Sequence, residues 1–479
     1  MYSKKNNICD VARIFTKDGS SLMKDSDNFM KNSSLSFANY QYYNYAMTLV
    51  IFLLCLLTVF NICSLSSVDF YRQDSMYYLG NYEFRFITEG RWLNLLTFAI
   101  FKKLPPWFLI FGFFISALCF FYLVASNISH SRLNSFLFSL LCINSPTLYS
   151  LMLWPVVPFS SYFMLLAIYF YSKKAKHFDA LILCGVFSFG IMSNLHFLAP
   201  LIFMGDLIKQ SFKENFIFFL KWVITFIIGF IVANSFVYLV TLLKTGTPTF
   251  INIDLQTWRL LKSPGGIDGL LYNIKYAINV VFSDIVDGKF YILLLGFIFS
   301  FSEIFKRDYG LKLFVWSVLI YLSFYSSNVF HGIRIDFRSL ISAFVGLAML
   351  NLLTKKRVAN IYVCLCISLF SYDNFNKLNW YDSQVKTIIS RFFIFHDDIS
   401  RGGELAIVYW NPKFKDSFNL DVSDKPYGLI DLNHFKYKQI NPYLIEQGFE
   451  KVEFIEYDID YTGEIRYERV GETVYFYME

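Results

Sequence analysis

Charge is what this chain has least of. Only 17% of its 479 residues are Asp, Glu, Lys or Arg, against about a quarter in soluble proteins, which excludes an ordinary cytosolic enzyme. Cysteines in paired spacing are missing too. Seven of the eight lie in apolar runs, Cys9 lies in polar N-terminal sequence, and none has metal-ligand spacing. They read as small buried hydrophobes. There is no nucleotide-binding signature, because Gly265-Gly266 lacks the context of a phosphate loop and reads as a turn. Residues 1–44 are polar and rich in Ser, Asn and Lys, without the short apolar core of a removable signal peptide. They read as a cytoplasmic tail.

Apolar and aromatic residues fill the rest. Hydrophobic side chains make up 55% of the chain and aromatic ones 20%, far too apolar for disorder. The run from Tyr45 to Leu65 has the ~20 residues needed to cross a hydrocarbon core. Further runs follow at 105–125, 134–151, 159–172, 178–193, 195–208, 216–243, 289–305, 313–327, 339–353 and 358–373. The expectation is an all-α polytopic membrane bundle of about eleven spans over residues 45–373.

The basic residues orient it. Lys173, Lys174 and Lys176 follow the fourth run, Lys209 and Lys213 the sixth, Lys306, Arg307 and Lys312 the eighth, and Lys355, Lys356 and Arg357 the tenth. Every even-numbered exit is therefore basic, which assigns those exits to the cytoplasm. Lys102 and Lys103 run weakly against the rule. The large loops 66–104 and 244–288 then face outward, and an odd span count puts the C-terminus there too. Within the second loop Leu270, Leu271, Ile274, Ala277, Ile278, Val281 and Phe282 recur at helical spacing opposite Asp268, Asn273, Lys275 and Asn279. That pattern predicts a helix lying flat in the membrane interface after a Pro264-Gly265-Gly266 turn.

Residues 374–479 are different in kind. They hold 12 Lys and Arg against 18 Asp and Glu, while the other 373 residues hold 31 against 19. Alternation over Glu404–Trp410, Lys451–Tyr457 and Glu472–Tyr477 predicts strands, and Asn441–Gln447 a helix ending at Gly448. A small α/β domain on the outer side is expected, about the size of a minimal domain.

The stretch with chemistry in it is Asp69–Asn94. It sets Asp69, Asp74, Glu83 and Glu89 beside Arg72, Arg85 and Arg91, directly after the first span. Asp69 and Asp74 are five residues apart, so on a helix they would point about 140° from each other. Solvated local ion pairing is the competing reading for most of these charges. For Asp69, at the membrane border, function weighs more, because ionisable groups at membrane depth are commonly functional.

Asp69-Phe70-Tyr71-Arg72-Gln73-Asp74, followed by Gly80 and then Gly90-Arg91-Trp92-Leu93, resembles the serotype-converting O-antigen glucosyltransferases of phage glucosylation operons. Those proteins carry an Asp-Tyr-Tyr-x-x-Asp-Asp stretch after the first span and then a Gly-Arg-Pro-Leu element. Ser75 stands here in place of the second Asp of the pair and Trp92 in place of Pro. The resemblance implies a C-type glycosyltransferase fold in a bacterial inner membrane. It also implies a polyprenyl-phosphate glucose donor, a lipid-linked O-antigen acceptor and a periplasmic site. No cofactor is expected, and no metal site.

The chemistry such a reaction needs agrees. A hydroxyl attacking the anomeric carbon needs a carboxylate to take its proton, and the departing phosphate needs cations or donors. One base suffices for inversion. Asp74 is the first candidate, Asp69 the second, with Arg72, Glu89, Gly90 and Arg91 as substrate-binding residues and Arg91 gripping the phosphate bidentately. A second group, His331-Gly-Ile-Arg334-Ile-Asp336-Phe-Arg338, puts Arg334 and Arg338 on one face if helical, either as a phosphate clamp or as arginines reaching lipid headgroups. His196 with Asn194 is a candidate for the same cavity, against the reading of a packed core histidine. His396-Asp397-Asp398 reads as a turn rather than a metal site, and Trp154 with Pro155 and Pro158 as an interfacial turn. The alternative function is a flippase or transporter of lipid-linked sugars, which would need charge spread through the span interior. An O-acyltransferase would need an embedded catalytic histidine, and His196 stands alone for that.

Overall fold

A computed structural model describes residues 21–67, 82–129, 131–152, 155–253, 260–261, 263–306, 308–333, 337–353, 357–393, 399, 402–410, 440–456 and 465–478. The chain forms two compact units, Met1–Leu56 and Leu57–Glu479. The described part of the first is the leading portion of helix α1, Ser21–Ser67, which starts well before the apolar run begins.

In the second unit, helices follow one another almost without break. They are α2 Glu83–Glu89, α3 Trp92–Phe101, α4 Pro106–Ile128, α5 Arg132–Ile143, α6 Pro146–Leu151, α7 Phe159–Ser172 and α8 His177–Ile191. A 3₁₀ turn at Ser193–Leu198 leads to α9 Ala199–Leu207, α10 Phe212–Thr245, α11 Gly266–Asp287, α12 Tyr291–Lys306 and α13 Asp308–Ser323. Then come α14 Ser326–His331, α15 Ile341–Met349 and α16 Arg357–Phe393. Four of these contain segments long and apolar enough to cross a membrane: Tyr45–Ser67, Pro106–Ile128, Phe212–Thr245 and Val358–Asn379. By the length and composition of its helices this is a helical membrane protein with a small C-terminal sheet.

The other apolar runs form shorter helices, and their burial explains why they can be short. All six residues of α6 and all nine of α15 are buried, as are all of α9 except Asp206. Broken helices are tolerated at membrane depth only where protein surrounds them. The run at 134–151 breaks at Asn144–Ser145, because Pro146 has no N–H to continue the ladder. Ser145 caps the new helix instead, its Oγ accepting from Leu148 N at 3.3 Å. By contrast α10 turns Phe216, Leu220, Ile224, Ile227 and Ile231 outward.

Two glycines let α8 and α10 touch. A Cβ at Gly185 would collide with the Thr225 carbonyl, and one at Gly229 would meet the Gly185 carbonyl. Small residues at such crossings are the usual way membrane helices approach closely. The junction between α5 and α6 is tied to its neighbours by a neutral polar knot. Asn144 Nδ2 donates to Thr58 Oγ1 at 2.9 Å and to Leu140 O at 2.8 Å. Ser371 Oγ donates to Asn144 Oδ1 at 2.6 Å, Asn374 Nδ2 to Asn144 O at 2.9 Å and Asn61 Nδ2 to Ser371 O at 2.8 Å.

The expected helix after Pro264-Gly265-Gly266 is α11. It presses Gly269, Asn273 and Ala277 inward and exposes Ile267, Leu270, Leu271, Ile274, Ile278 and Phe282. Helix α16 continues past Asp373 to Phe393.

The C-terminal sheet has the order β2-β1-β4-β3, with β1 Gly403–Trp410, β2 Phe449–Glu456, β3 Ile465–Val470 and β4 Thr473–Met478. β1 lies parallel to β2 and β4, and β3 pairs antiparallel with β4. Helix α17, Asn441–Glu446, ends before Gly448, whose φ of 98° lies in the left-handed region. Ala406, Val408, Val474 and Phe476 are fully buried, as period-two alternation requires.

Candidate functional site

The described part of the first loop is folded rather than open. Tyr82 precedes α2, and Gly90 ends it with φ 71° and its N–H on Phe86 O at 2.8 Å. Gly90 is needed there for two reasons. A side-chain-bearing residue disfavours that backbone conformation, and a Cβ would collide with Ile251 Cδ1 and lie 3.1 Å from Ala233 Cβ. The chain then turns straight into α3, an apolar helix where an irregular loop was expected.

Helix spacing puts Arg85 and Glu89 on one face, and the turn at Gly90 brings Arg91 back to the same carboxylate. Glu89 Oε1 pairs with Arg85 Nη1 and Oε2 with Arg91 Nη2. The three side chains are 9–18% exposed, and one carboxylate sits between two guanidiniums. Arg91 Nη1 also donates to Tyr82 Oη at 3.4 Å, and Asn94 Nδ2 donates to Tyr82 Oη at 3.2 Å and to Ile191 O at 3.0 Å. Burial opposes charge on Arg91, but Glu89 and Tyr82 outweigh it and leave the guanidinium's pKa above its ordinary value. Burial likewise pushes the Tyr82 phenol up, against the pull of Arg91.

Two buried polar atoms beside this cluster, Trp92 Nε1 and Asn94 Oδ1, have no hydrogen-bond partner among the described residues. The Trp92 ring stacks on Phe236 at 4.6 Å and packs against Gly190. At the rim, Glu83 pairs with Lys244 at the end of α10, and Asn252 N donates to Ile87 O at 3.1 Å. The segment after α10 thus folds across α2. The cluster and the basic exit at Lys173–Lys176 lie at opposite ends of α8, since Asn94 bonds to Ile191 at its last turn.

Of the residues singled out from sequence, Glu89, Gly90 and Arg91 come together. Asp69, Arg72, Asp74 and Arg334 lie outside the described residues, as do Trp154 and His396–Asp398. Helix α14 stops at His331, where Gly332 takes φ 59° and Ile333 bridges to Leu260, and the spacing of Arg334 and Arg338 falls partly outside the described residues. Arg338 stands in a 3₁₀ turn, Phe337–Ser339, whose Ser339 carbonyl accepts from Asn194 Nδ2 at 3.1 Å. His196 is buried, and its Nδ1 has no hydrogen-bond partner among the described residues. Its Nε2 donates to the Trp222 carbonyl at 3.0 Å, Trp222 Nε1 returns a bond to the His196 carbonyl at 2.9 Å, and the ring lies against Phe226.

Sequence reasoning passed over Tyr82 and Asn94 as site residues and gave Arg85 no role. The Arg85–Glu89 spacing was a readable signal for the last. A second ion-pair group was also missed: Asp373 takes Lys289 at 2.5 Å and Lys377 at 2.8 Å. Among the described residues no three His, Cys, Asp or Glu side chains gather as a metal site. No protein-family model, curated protein or solved structure matches this chain.

Proposed function

We propose that the protein is an integral inner-membrane glycosyltransferase. In this reading it moves a glucosyl group from a polyprenyl-phosphate donor to a hydroxyl of lipid-linked O-antigen, on the periplasmic side of a bundle of about eleven spans. The observation that carries the reading is where charge is buried. Among the described residues Arg85 is the only buried Lys, Arg, Asp or Glu, and it belongs to the cluster around Glu89. Interior polar side chains elsewhere are Ser, Thr, Asn and one His. A carrier of anionic lipid headgroups needs charge along its path, whereas a transferase needs it at one face.

In the proposed reaction, Asp74 or Asp69 takes the proton of the acceptor hydroxyl. The hydroxyl oxygen bonds to the anomeric carbon from the side opposite the phosphate. The bond from that carbon to the phosphate oxygen breaks, and polyprenyl phosphate leaves with the electron pair. The anomeric configuration inverts. Glu89 holds Arg91 in place, and the Arg91 guanidinium meets the phosphate. Residues 374–479 form the outer α/β domain in this reading.

The test is sugar transfer in membranes supplied with polyprenyl-phosphate glucose and lipid-linked O-antigen, comparing wild type with Asp69→Asn and Asp74→Asn. Transfer by wild type, with one folded Asn variant dead, supports the reading and locates the base. No transfer by wild type, with movement of lipid-linked sugar between leaflets, replaces it with the flippase.

A further inference from the structure

Between the start of α10 and α13 lies a groove of about 320 Å³. Its walls are Phe212, Phe216 and Phe219 on one helix and Val315 and Leu319 on the other. Its floor is the hydrogen bond from Trp316 Nε1 to Asn215 Oδ1, 2.6 Å long. Asn215 has nothing left to offer an occupant, since its Nδ2 donates to the Leu207 carbonyl at 2.9 Å and the Ser211 carbonyl at 2.9 Å. The groove therefore accepts a chain that is apolar along its length.

One end differs. Lys312 lines the groove with its ammonium 5.7 Å from the centre of the Phe212 ring and 3.4 Å from the Ile208 carbonyl. Among the described residues no carboxylate forms an ion pair with it. Glu214, which feels its charge, is held by Ser211, whose N–H and Oγ bond to Glu214 Oε2 at 2.7 and 2.8 Å. Lys312 keeps donors to spare. It belongs to the end of the bundle where Lys209, Lys213 and Lys306 also lie, the face that the distribution of basic residues assigns to the cytoplasm. Phe212 and Phe216 at the rim are 57% and 61% exposed, as ring side chains at a membrane interface are.

We infer that this groove is a binding site for an anionic phospholipid of the cytoplasmic leaflet, with one acyl chain along Phe216, Val315 and Leu319 and the headgroup phosphate on Lys312. Charge complementarity selects the occupant, because a basic pocket between helices at that depth suits an acidic headgroup. The inference rests on the membrane placement and not on the sugar-transfer reading.

The test uses the full chain in vesicles of phosphatidylcholine containing brominated phosphatidylglycerol or brominated phosphatidylcholine. Bromine on an acyl chain quenches a touching indole, and subtracting the signal of Trp316→Phe isolates Trp316. Brominated phosphatidylglycerol is expected to quench Trp316 at about fivefold lower mole fraction, the attraction of one lysine for an acidic lipid. That preference vanishes in Lys312→Gln, survives in Lys213→Gln, and is lost with overall quenching in the groove-filling Val315→Phe. Native mass spectrometry repeats the comparison without the Trp316 variant, with retained phosphatidylglycerol expected on wild type and on Lys213→Gln but not on Lys312→Gln. Equal quenching by both lipids, or a preference that survives Lys312→Gln, or one that falls equally in Lys213→Gln, overturns the site.

Discussion

Around Asn144 the protein buries a group of neutral side chains from three helices, and each amide that lies there donates to a carbonyl or hydroxyl within 2.9 Å. Around Glu89 it buries charge, with one carboxylate between two guanidiniums. Both lie in a chain that is mostly apolar, yet they are built by opposite rules. The knot is neutral, and it ties a broken helix to its neighbours through amides and hydroxyls, with Asn61 Oδ1 the one atom of it that has no partner among the described residues. A buried cluster of a carboxylate and two guanidiniums carries a desolvation cost that a neutral knot does not. The difference is one of charge, and in the proposed reading it makes the first region scaffold and the second the phosphate site.

The largest expected effect comes from Glu89→Ala. It leaves two guanidiniums without their carboxylate and should lower stability by about 3 kcal/mol or more, read as a drop in thermal unfolding temperature in detergent. Arg91→Ala should separate binding from scaffolding, because Arg85 still neutralises Glu89. Transfer is expected to fall about a hundredfold, as when one preorganised donor is removed, with a much smaller stability change. Arg91→Lys keeps the charge but not the fork and should rescue only part of it. Gly90→Ala forces an L residue into a left-handed conformation against Ile251 and should cost about 1–3 kcal/mol.

Smaller effects test the scaffold side. Ser371→Ala removes one bond of the knot and should cost about 1 kcal/mol with transfer rates unchanged. A large fall in transfer there, with the fold intact, would erase the distinction between the two regions. Lys244→Ala breaks an exposed pair and should change stability by less than about 1 kcal/mol. The pH dependence points the same way. The raised pKa values of Tyr82 and Arg91 favour their protonated forms, so their contribution is full below the unfolded-state values. It is lost only as pH rises through the folded ones. Stability of the cluster should therefore be flat from about pH 6 to 9 and fall above about pH 10.

Much of the helical layout was readable because apolar runs report burial directly. The run at 159–172 coincides with α7, and the amphipathic stripe in the second large loop is α11. The break inside 134–151 had its signal in Ser145-Pro146, but ten further apolar residues masked it. Helix α3 was hidden in a loop defined by its charges, and β3 escaped because Ile465–Val470 mixes charge with apolar residues on an edge strand. In the site, Arg85 and Glu89 were legible as an i, i+4 pair. Tyr82 and Asn94 were not, since Asn94 earns its place by a bond to Ile191, 97 residues away. Contacts of that kind depend on how helices pack, which local pattern does not encode.

The central claim is that the cluster around Glu89 binds the phosphate of a polyprenyl lipid while the knot around Asn144 does not take part. The direct measurement is the affinity of the purified protein for polyprenyl phosphate in nanodiscs, for wild type, Arg91→Ala and Ser371→Ala. The expected result is a loss of about tenfold or more in Arg91→Ala and wild-type affinity in Ser371→Ala. Unchanged affinity in a folded Arg91→Ala, or equal loss in both variants, would contradict it.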